Sequence, residues 1–218
     1  MRELPIIFND EMVRAIINGD KTVTRRPVKS NSGPPPTMVH RKQGPSGRHW
    51  TEPGGWVRPP AAVGDVLYVR EAWGLHLYGD YTCWLRDSVR GRSKDDLRAS
   101  YEVAYRADAT SVYDYWRPSI LMPRWAARLF LRVTSVRVER VQAITEDGAR
   151  AEGCFFDGHA WFPGEWHGMP GFAHGRDAFA TLWDGIYAAK GLGWEANPWC
   201  WVIEFDRIED YRGEEDGR

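Results

Sequence analysis

Long apolar runs are missing from this 218-residue chain. Without them there is no candidate membrane-crossing helix, and the N-terminus has no apolar stretch of the kind that marks a secretory signal. Cysteine is scarce as well. Cys83, Cys154 and Cys200 are far apart and odd in number, which argues against a disulfide framework and leads us to expect a cytoplasmic protein with reduced thiols. Cys154, His159, His167 and His174 match no tight zinc spacing, so no metal and no other cofactor is expected. Nor is one sign of charge in excess: Lys plus Arg number 29 and Asp plus Glu 30, for a net charge of −1. Such a chain has no global basic field to drive non-specific duplex binding; a small substrate or a local basic groove fits better. Lysine itself is rare, at 5 residues against 24 arginines, so Lys21 is one of few.

Hydrophobic residues make up 43% of the chain and aromatics 13%, enough to build a core. The simplest organisation is one domain over 1–208 followed by a polar, acidic tail at 209–218. Asn9 can cap a helix whose Met12, Val13, Ile16 and Ile17 fall on one face, and Asn18-Gly19 supplies its left-handed stop. Gly64-Asp65 reads as a turn into a strand over Val66 to Arg70, with Glu71-Ala72-Trp73 as its polar exit. After Met122-Pro123-Arg124-Trp125, the run from Arg128 to Val141 is the longest strand signal, with Leu129, Leu131 and Val133 on one side. Helical spacing returns over Asp177 to Lys190, and a closing strand from Trp199 to Phe205 alternates aromatics and small residues.

Two segments interrupt this pattern. Residues 29–62 are dense in Pro, Gly, Ser and basic residues, including Pro34-Pro35-Pro36, His40-Arg41-Lys42 and Arg48-His49-Trp50. They predict a long irregular flap, either a surface loop or a lid whose cations, with Trp50 and Trp56, can meet phosphates and stack on bases. Residues 154–175 predict a second Gly/His/Trp-rich loop bordering the same site.

The richest chemistry lies in Gly19-Asp20-Lys21-Thr22-Val23-Thr24-Arg25-Arg26, where a lysine, a threonine hydroxyl and two arginines follow a helix-ending glycine. As a solvated turn this needs no function. As a site, it offers a nucleophile, a group to move its proton, and donors for a developing oxyanion, which together are what amide hydrolysis requires. Lysine serves as a base near neutral pH only if burial or a nearby cation lowers its pKa from about 10.4, and Arg25 and Arg26 are the nearest cations. Lys21 and Thr24, three apart, would face opposite sides of a regular strand, so an irregular backbone or a bulge is expected between them.

These motifs resemble the ASCH-domain family, small β-barrels related in fold to PUA RNA-binding domains, and phage and prophage members in particular. The likeness rests on Gly19-x-Lys21-x-x-x-x-Arg26, on Gly64-Asp65-Val66-Leu67, and on Ile144-Thr145-Glu146-Asp147 leading through Ala149 to Glu152-Gly153. Met-Pro-Arg-Trp, Asn197-Pro198-Trp199 and the closing strand add to it. The fold it implies is an α+β, PUA-like barrel with a few flanking helices and two long loop insertions. Within the family, small bacterial enzymes hydrolyse N(4)-acetylcytidine with a lysine, a threonine and a glutamate, which the resemblance places at Lys21, Thr24 and Glu152. Many other ASCH proteins have a glutamate where this chain has Thr24, a departure that favours the hydrolase subgroup. Arg26 is then expected to steady the turn or the oxyanion. Glu71 and Trp73 are expected at the barrel mouth, Trp73 stacking a pyrimidine or shielding the core.

The expected function is therefore removal of an acyl group from a modified cytidine nucleoside. The competing readings are a non-catalytic module that binds single-stranded RNA or serves a phage as an accessory protein, and a ribonuclease. No membrane partner is expected.

Overall fold

The computed structural model describes residues 1–29, 36–40, 49–52, 55–77, 80–84, 101–108, 116–164, 171–209 and 211. In chain order, β1 is Glu3–Ile7, α1 Asp10–Asn18, β2 Val23–Pro27, β3 Met38–Val39, β4 His49–Glu52, β5 Gly55–Val57 and β6 Val66–Arg70. There follow β7 (Trp73–Leu77), β8 (Asp80–Trp84), β9 (Tyr101–Tyr105), β10 (Phe130–Arg140), α2 (Glu146–Ala151), β11 (Phe155–Phe156), β12 (Trp161–Phe162), α3 (Gly175–Tyr187) and β13 (Trp199–Ile208). No helix among the described residues is long and apolar enough to cross a membrane.

The principal sheet has the order β1-β6-β10-β13-β2, with β1 parallel to β6 and every other pair antiparallel. Its long members, β10 and β13, lie in the middle, and both faces of β13 are buried. Trp201, Ile203 and Phe205 pack with Val13 and Ile16 of α1 in one apolar cluster, while Cys200 and Val202 pack with Phe179 and Trp183 of α3 in another. A central strand covered on both faces has apolar residues at consecutive positions, which is why β13 is aromatic on one side and small on the other.

The α+β class holds, but the expected closed barrel does not appear. β1 and β2 remain the two ends of the sheet, and no pairing joins them among the described residues. The other strands pair among themselves, β3-β4-β5 in one small sheet and β8-β7-β9 in another.

The expected loops also contain structure. Within 29–62 the strands β3, β4 and β5 form an antiparallel meander, and Val39, Val57 and Ala61 join the α1-side core. Apolar residues scattered among prolines and glycines sufficed to anchor the segment. It is also tied to the main sheet, since the Thr37 carbonyl accepts from Arg140 Nη2 at 2.6 Å and Trp199 Nε1 at 3.0 Å. Within 154–175, β11 and β12 pair as a short hairpin and bury Trp161 and Phe162. Pro34-Pro35, Arg41-Lys42, Arg48, His167 and the tail beyond Tyr211 lie outside the described residues.

α1 forms as its signals predict. Asn9 Oδ1 accepts the Met12 amide at 2.9 Å, and Gly19 closes the helix at φ +84° with its N–H turned back to helix carbonyls. A lone glycine takes this left-handed geometry without steric cost. In the strand β10, Val133 pairs with Phe205 and Ser135 with Glu204, leaving Thr134 as an extra residue. This bulge shifts the inward phase, so Leu131 and Val133 before it and Val136 and Val138 after it reach the same core. The final helix begins earlier than its apolar spacing suggests, at Gly175, where the Gly175 amide donates to Glu146 Oε2 at 2.6 Å.

Candidate active site

Lys21 is positioned by backbone. After Gly19 the amides of Asp20 and Lys21 both donate to the Ala15 carbonyl, at 2.8 and 3.0 Å, and the Thr22 amide donates to the Ala151 carbonyl at 2.9 Å. The chain therefore leaves α1, fastens to the end of α2 through a Lys21–Glu152 bridge, and only then enters β2. Gly153 permits the approach. It sits at φ +94°, and a Cβ there would stand 3.2 Å from the Ala15 Cβ and 3.5 Å from the Lys21 Cβ.

The side chains of Lys21 and Glu152 complete the contact. Lys21 Nζ donates to Glu152 Oε2 at 2.6 Å and to the Glu152 carbonyl at 2.9 Å, with the two side chains 0% and 3% exposed. Burial holds the Lys21 amine below its ordinary 10.5 despite the opposing pull of Glu152, and Arg26 pushes in the same direction as burial. The neighbouring Cys154 thiol is raised by burial to about 12 and is neutral near pH 7.

Thr24 is buried on β2 opposite Ile203. The β2–β13 register runs unbroken from Val23 to Pro27, so no bulge breaks β2 itself, and Lys21 lies just before the strand. Alternation puts Thr24 and Arg26 on one face of β2. The Arg26 guanidinium lies over the Phe8 ring at 5.2 Å, and Lys21 Nζ lies over the same ring at 5.8 Å. Lys21 and Arg26 thus share the Phe8 ring. Arg26 itself donates to the Ile7 carbonyl at 2.7 Å and to the Tyr187 hydroxyl at 3.5 Å, bracing β2 against β1 and α3.

Glu71 and Trp73 belong to a second cluster. The Glu71 carboxylate accepts from Arg128 Nε and Nη2 at 3.0 and 2.9 Å, and Arg128 also pairs with Asp108. Burial raises the Glu71 carboxyl above its ordinary range, against the pull of Arg128. Trp73 is wholly buried with Leu75, Met122 and Ala126, edge-on to Trp125 at 6.2 Å. It offers a ligand no surface, and none of its described contacts or those of Glu71 reaches Lys21, Thr24 or Glu152. Among the described residues no group of three or more His, Cys, Asp and Glu side chains is arranged to hold a metal ion.

Arg25, expected from the sequence only as a cation near Lys21, joins the site through Glu152. Arg25 Nη1 donates to Glu152 Oε1 at 3.1 Å from the side opposite Lys21. Adjacent arginines in a strand must point to opposite faces, and that rule alone puts one of Arg25 and Arg26 inward. A groove lined by Glu11, Met12, Ala15, Gly153 and Leu182 reaches Glu152, and it adjoins a larger open pocket of about 240 Å³ bordered by Asp20, Arg150 and Phe155. The site is thus a buried amine locked to a carboxylate, beside a strand that carries a hydroxyl. Compared with known proteins, the chain matches no protein-family model, and neither the curated proteins nor the solved structures yield a match.

Proposed function

We propose that the protein is an amidohydrolase that removes the acyl group from the exocyclic nitrogen of an N(4)-acylated cytidine, on an ASCH-type, PUA-like scaffold. The observation that carries this reading is the buried ion pair between Lys21 and Glu152, residues 131 apart in sequence, with Thr24 on the strand that Lys21 leads into. In this reading neutral Lys21 takes the Thr24 hydroxyl proton as Oγ attacks the acyl carbonyl carbon. The C–N bond then breaks, and the same proton passes from the ammonium to the departing cytidine nitrogen. Water attacks the acyl-threonine, Lys21 relays its proton back to Oγ, and a carboxylic acid leaves. Glu152 orients Lys21 throughout. Arg26 braces β2 through the Ile7 carbonyl and the Tyr187 hydroxyl.

Lys21 and Thr24 are both buried, so in this reading the acyl group enters only as the site opens around them. Free nucleoside suits this narrow access better than a polymer.

Purified protein is to be incubated with N(4)-acetylcytidine, bulkier acylcytidines and unmodified RNA. Release of cytidine and the matching carboxylate, unaffected by salt, is the expected result. Cleavage of unmodified RNA with acylcytidine untouched would instead make it a ribonuclease. Binding of single-stranded RNA that weakens steeply with salt and survives Thr24→Ala, without turnover, would make it an RNA-binding module.

A further inference from the structure

Arg25 is an unusual occupant of its position. Its side chain is 3% exposed, packed over the Phe179 ring at 5.8 Å, and its Nε has no hydrogen-bond partner among the described residues. Burying an arginine with a donor unsatisfied is costly unless its charge is wanted there. Room is made for it as well: a Cβ on Gly148 would stand 3.3 Å from Arg25 Nη2. Its ionic partners are Glu152 Oε1 at 3.1 Å and, more distantly, Glu139 Oε2 at 3.9 Å. Glu139 is itself engaged by Arg137 at 2.9 Å and is partly open to solvent.

This cluster joins three buried charges, Lys21, Glu152 and Arg25, and Glu152 has one oxygen on each cation. With Lys21 protonated the trio has a net charge of +1; with Lys21 neutral it is balanced. Without Arg25 the reverse holds. The Lys21–Glu152 pair would be neutral as an ion pair, and loss of the lysine proton would strand a buried carboxylate, which a low-dielectric interior strongly disfavours.

We propose that Arg25 is the positioning residue that frees Lys21 to act as a base, holding Glu152 as a carboxylate from the far side so that Lys21 can release its proton without leaving an unpaired buried anion. Arg25 touches neither Thr24 nor the route to it in any described contact; it acts through Glu152. The other groups facing Lys21 leave this role to Arg25. Arg26 shares the Phe8 ring with Lys21 and also favours its neutral amine, but its described hydrogen bonds go to Ile7 and Tyr187 and not to Glu152, and the Cys154 thiol is neutral near pH 7. The inference rests on the amidohydrolase reading for its purpose, but the charge linkage it asserts is measurable without a substrate.

With only 5 lysines in the chain, protein labelled with ¹³C at lysine Cε gives few signals, and that of Lys21 is identified by its loss in Lys21→Met. Titrated by NMR, Lys21 in the native chain is expected to lose its proton below 10.5, the ordinary lysine value. In Arg25→Met, and in Arg25→Gln, which retains a donor but no charge, the Lys21 midpoint is expected to rise by about one pH unit or more, a tenfold tighter hold on the proton. Arg25→Lys is expected to stay near the native midpoint.

A native midpoint at or above 10.5, or an unchanged or lower midpoint in the uncharged variants, overturns the proposal. Should the uncharged variants fail to fold, the native titration and Arg25→Lys decide alone. If the linkage holds but no acylcytidine is turned over, the amidohydrolase reading fails and Arg25 keeps its role. If acylcytidine is turned over while the Lys21 midpoint ignores Arg25, the role fails alone.

Discussion

Lys21 is the residue on which the chemistry turns, and its burial gives it two measurable signatures. Its amine titrates below 10.5 in the folded protein because burial disfavours the ammonium. Between that lowered value and 10.5 the unfolded chain binds more protons than the folded one, so Lys21 makes stability rise with pH across this window. Denaturant titrations of the native chain and Lys21→Met at several pH values should therefore diverge, the native chain gaining on the variant as pH increases. Turnover should rise over the pH range in which the amine loses its proton, and Lys21→Met should lower kcat by about a hundredfold to ten-thousandfold. Asp65 also makes stability rise with pH, in an acid window and for a different reason. Burial pushes its carboxyl up, but the Arg2 side chain and the amides of Ala62 and Arg2 more than offset this and hold it below 3.8. The stability it contributes is complete above 3.8 and is lost as pH falls through the lowered value; Asp65→Ala should cost about 1–3 kcal/mol at pH 7 and correspondingly less in acid. Lys21 and Thr24 were legible as reactive types in one turn, and the family likeness pointed to Glu152. Arg25 was legible only as a nearby cation, because a sequence gives strand alternation but not which face of β2 holds the carboxylate.

The elements show where pattern reading succeeds and where it stops. α1 was legible to the residue because cap, apolar stripe and left-handed stop are all local signals. β10 was legible as a strand but not as a bulged one, since the extra residue at Thr134 shows only when Val133 and Ser135 are paired with successive residues of β13. The meander β3-β4-β5 was hidden because its strands are two to four residues long and are held by long-range contacts to Arg140 and Trp199. The turn after α2 joins element to site. Its Gly153 combines φ +94° with a 3.2 Å approach to Ala15, so Gly153→Ala should destabilise the fold by about 1–2 kcal/mol or more. It should also lower turnover beyond what the lost stability explains, because the Lys21–Glu152 bridge is anchored on that turn; thermal melts run beside kinetics check both. Thr145 Oγ1 accepts the Gly148 amide at 3.0 Å at the start of α2. Thr145→Ala should cost about 1 kcal/mol while leaving the chemistry intact.

Seen whole, the molecule sorts its charges by depth. From the buried Lys21 the pairs run through Glu152, Arg25, Glu139 and Arg137 to Glu204 at the surface, alternating in sign at every step. The outer members are exposed to solvent and screened within about 8 Å at physiological salt, so the inner three set the electrostatics of the site. With a net charge of −1 the protein has little long-range field to gather a polyanion, and turnover of a free nucleoside should hold steady as salt is raised. The α+β class was legible from composition and alternating strands. The open sheet was not, because whether edge strands meet depends on contacts far apart in the chain. The most direct test is the rate at which cytidine is released from N(4)-acetylcytidine by the native chain and by folded Thr24→Val, side by side. Release by the native chain, reduced at least about a thousandfold in the variant, is the predicted result. No release by well-folded native protein, or equal release by both, would contradict the assignment of this site.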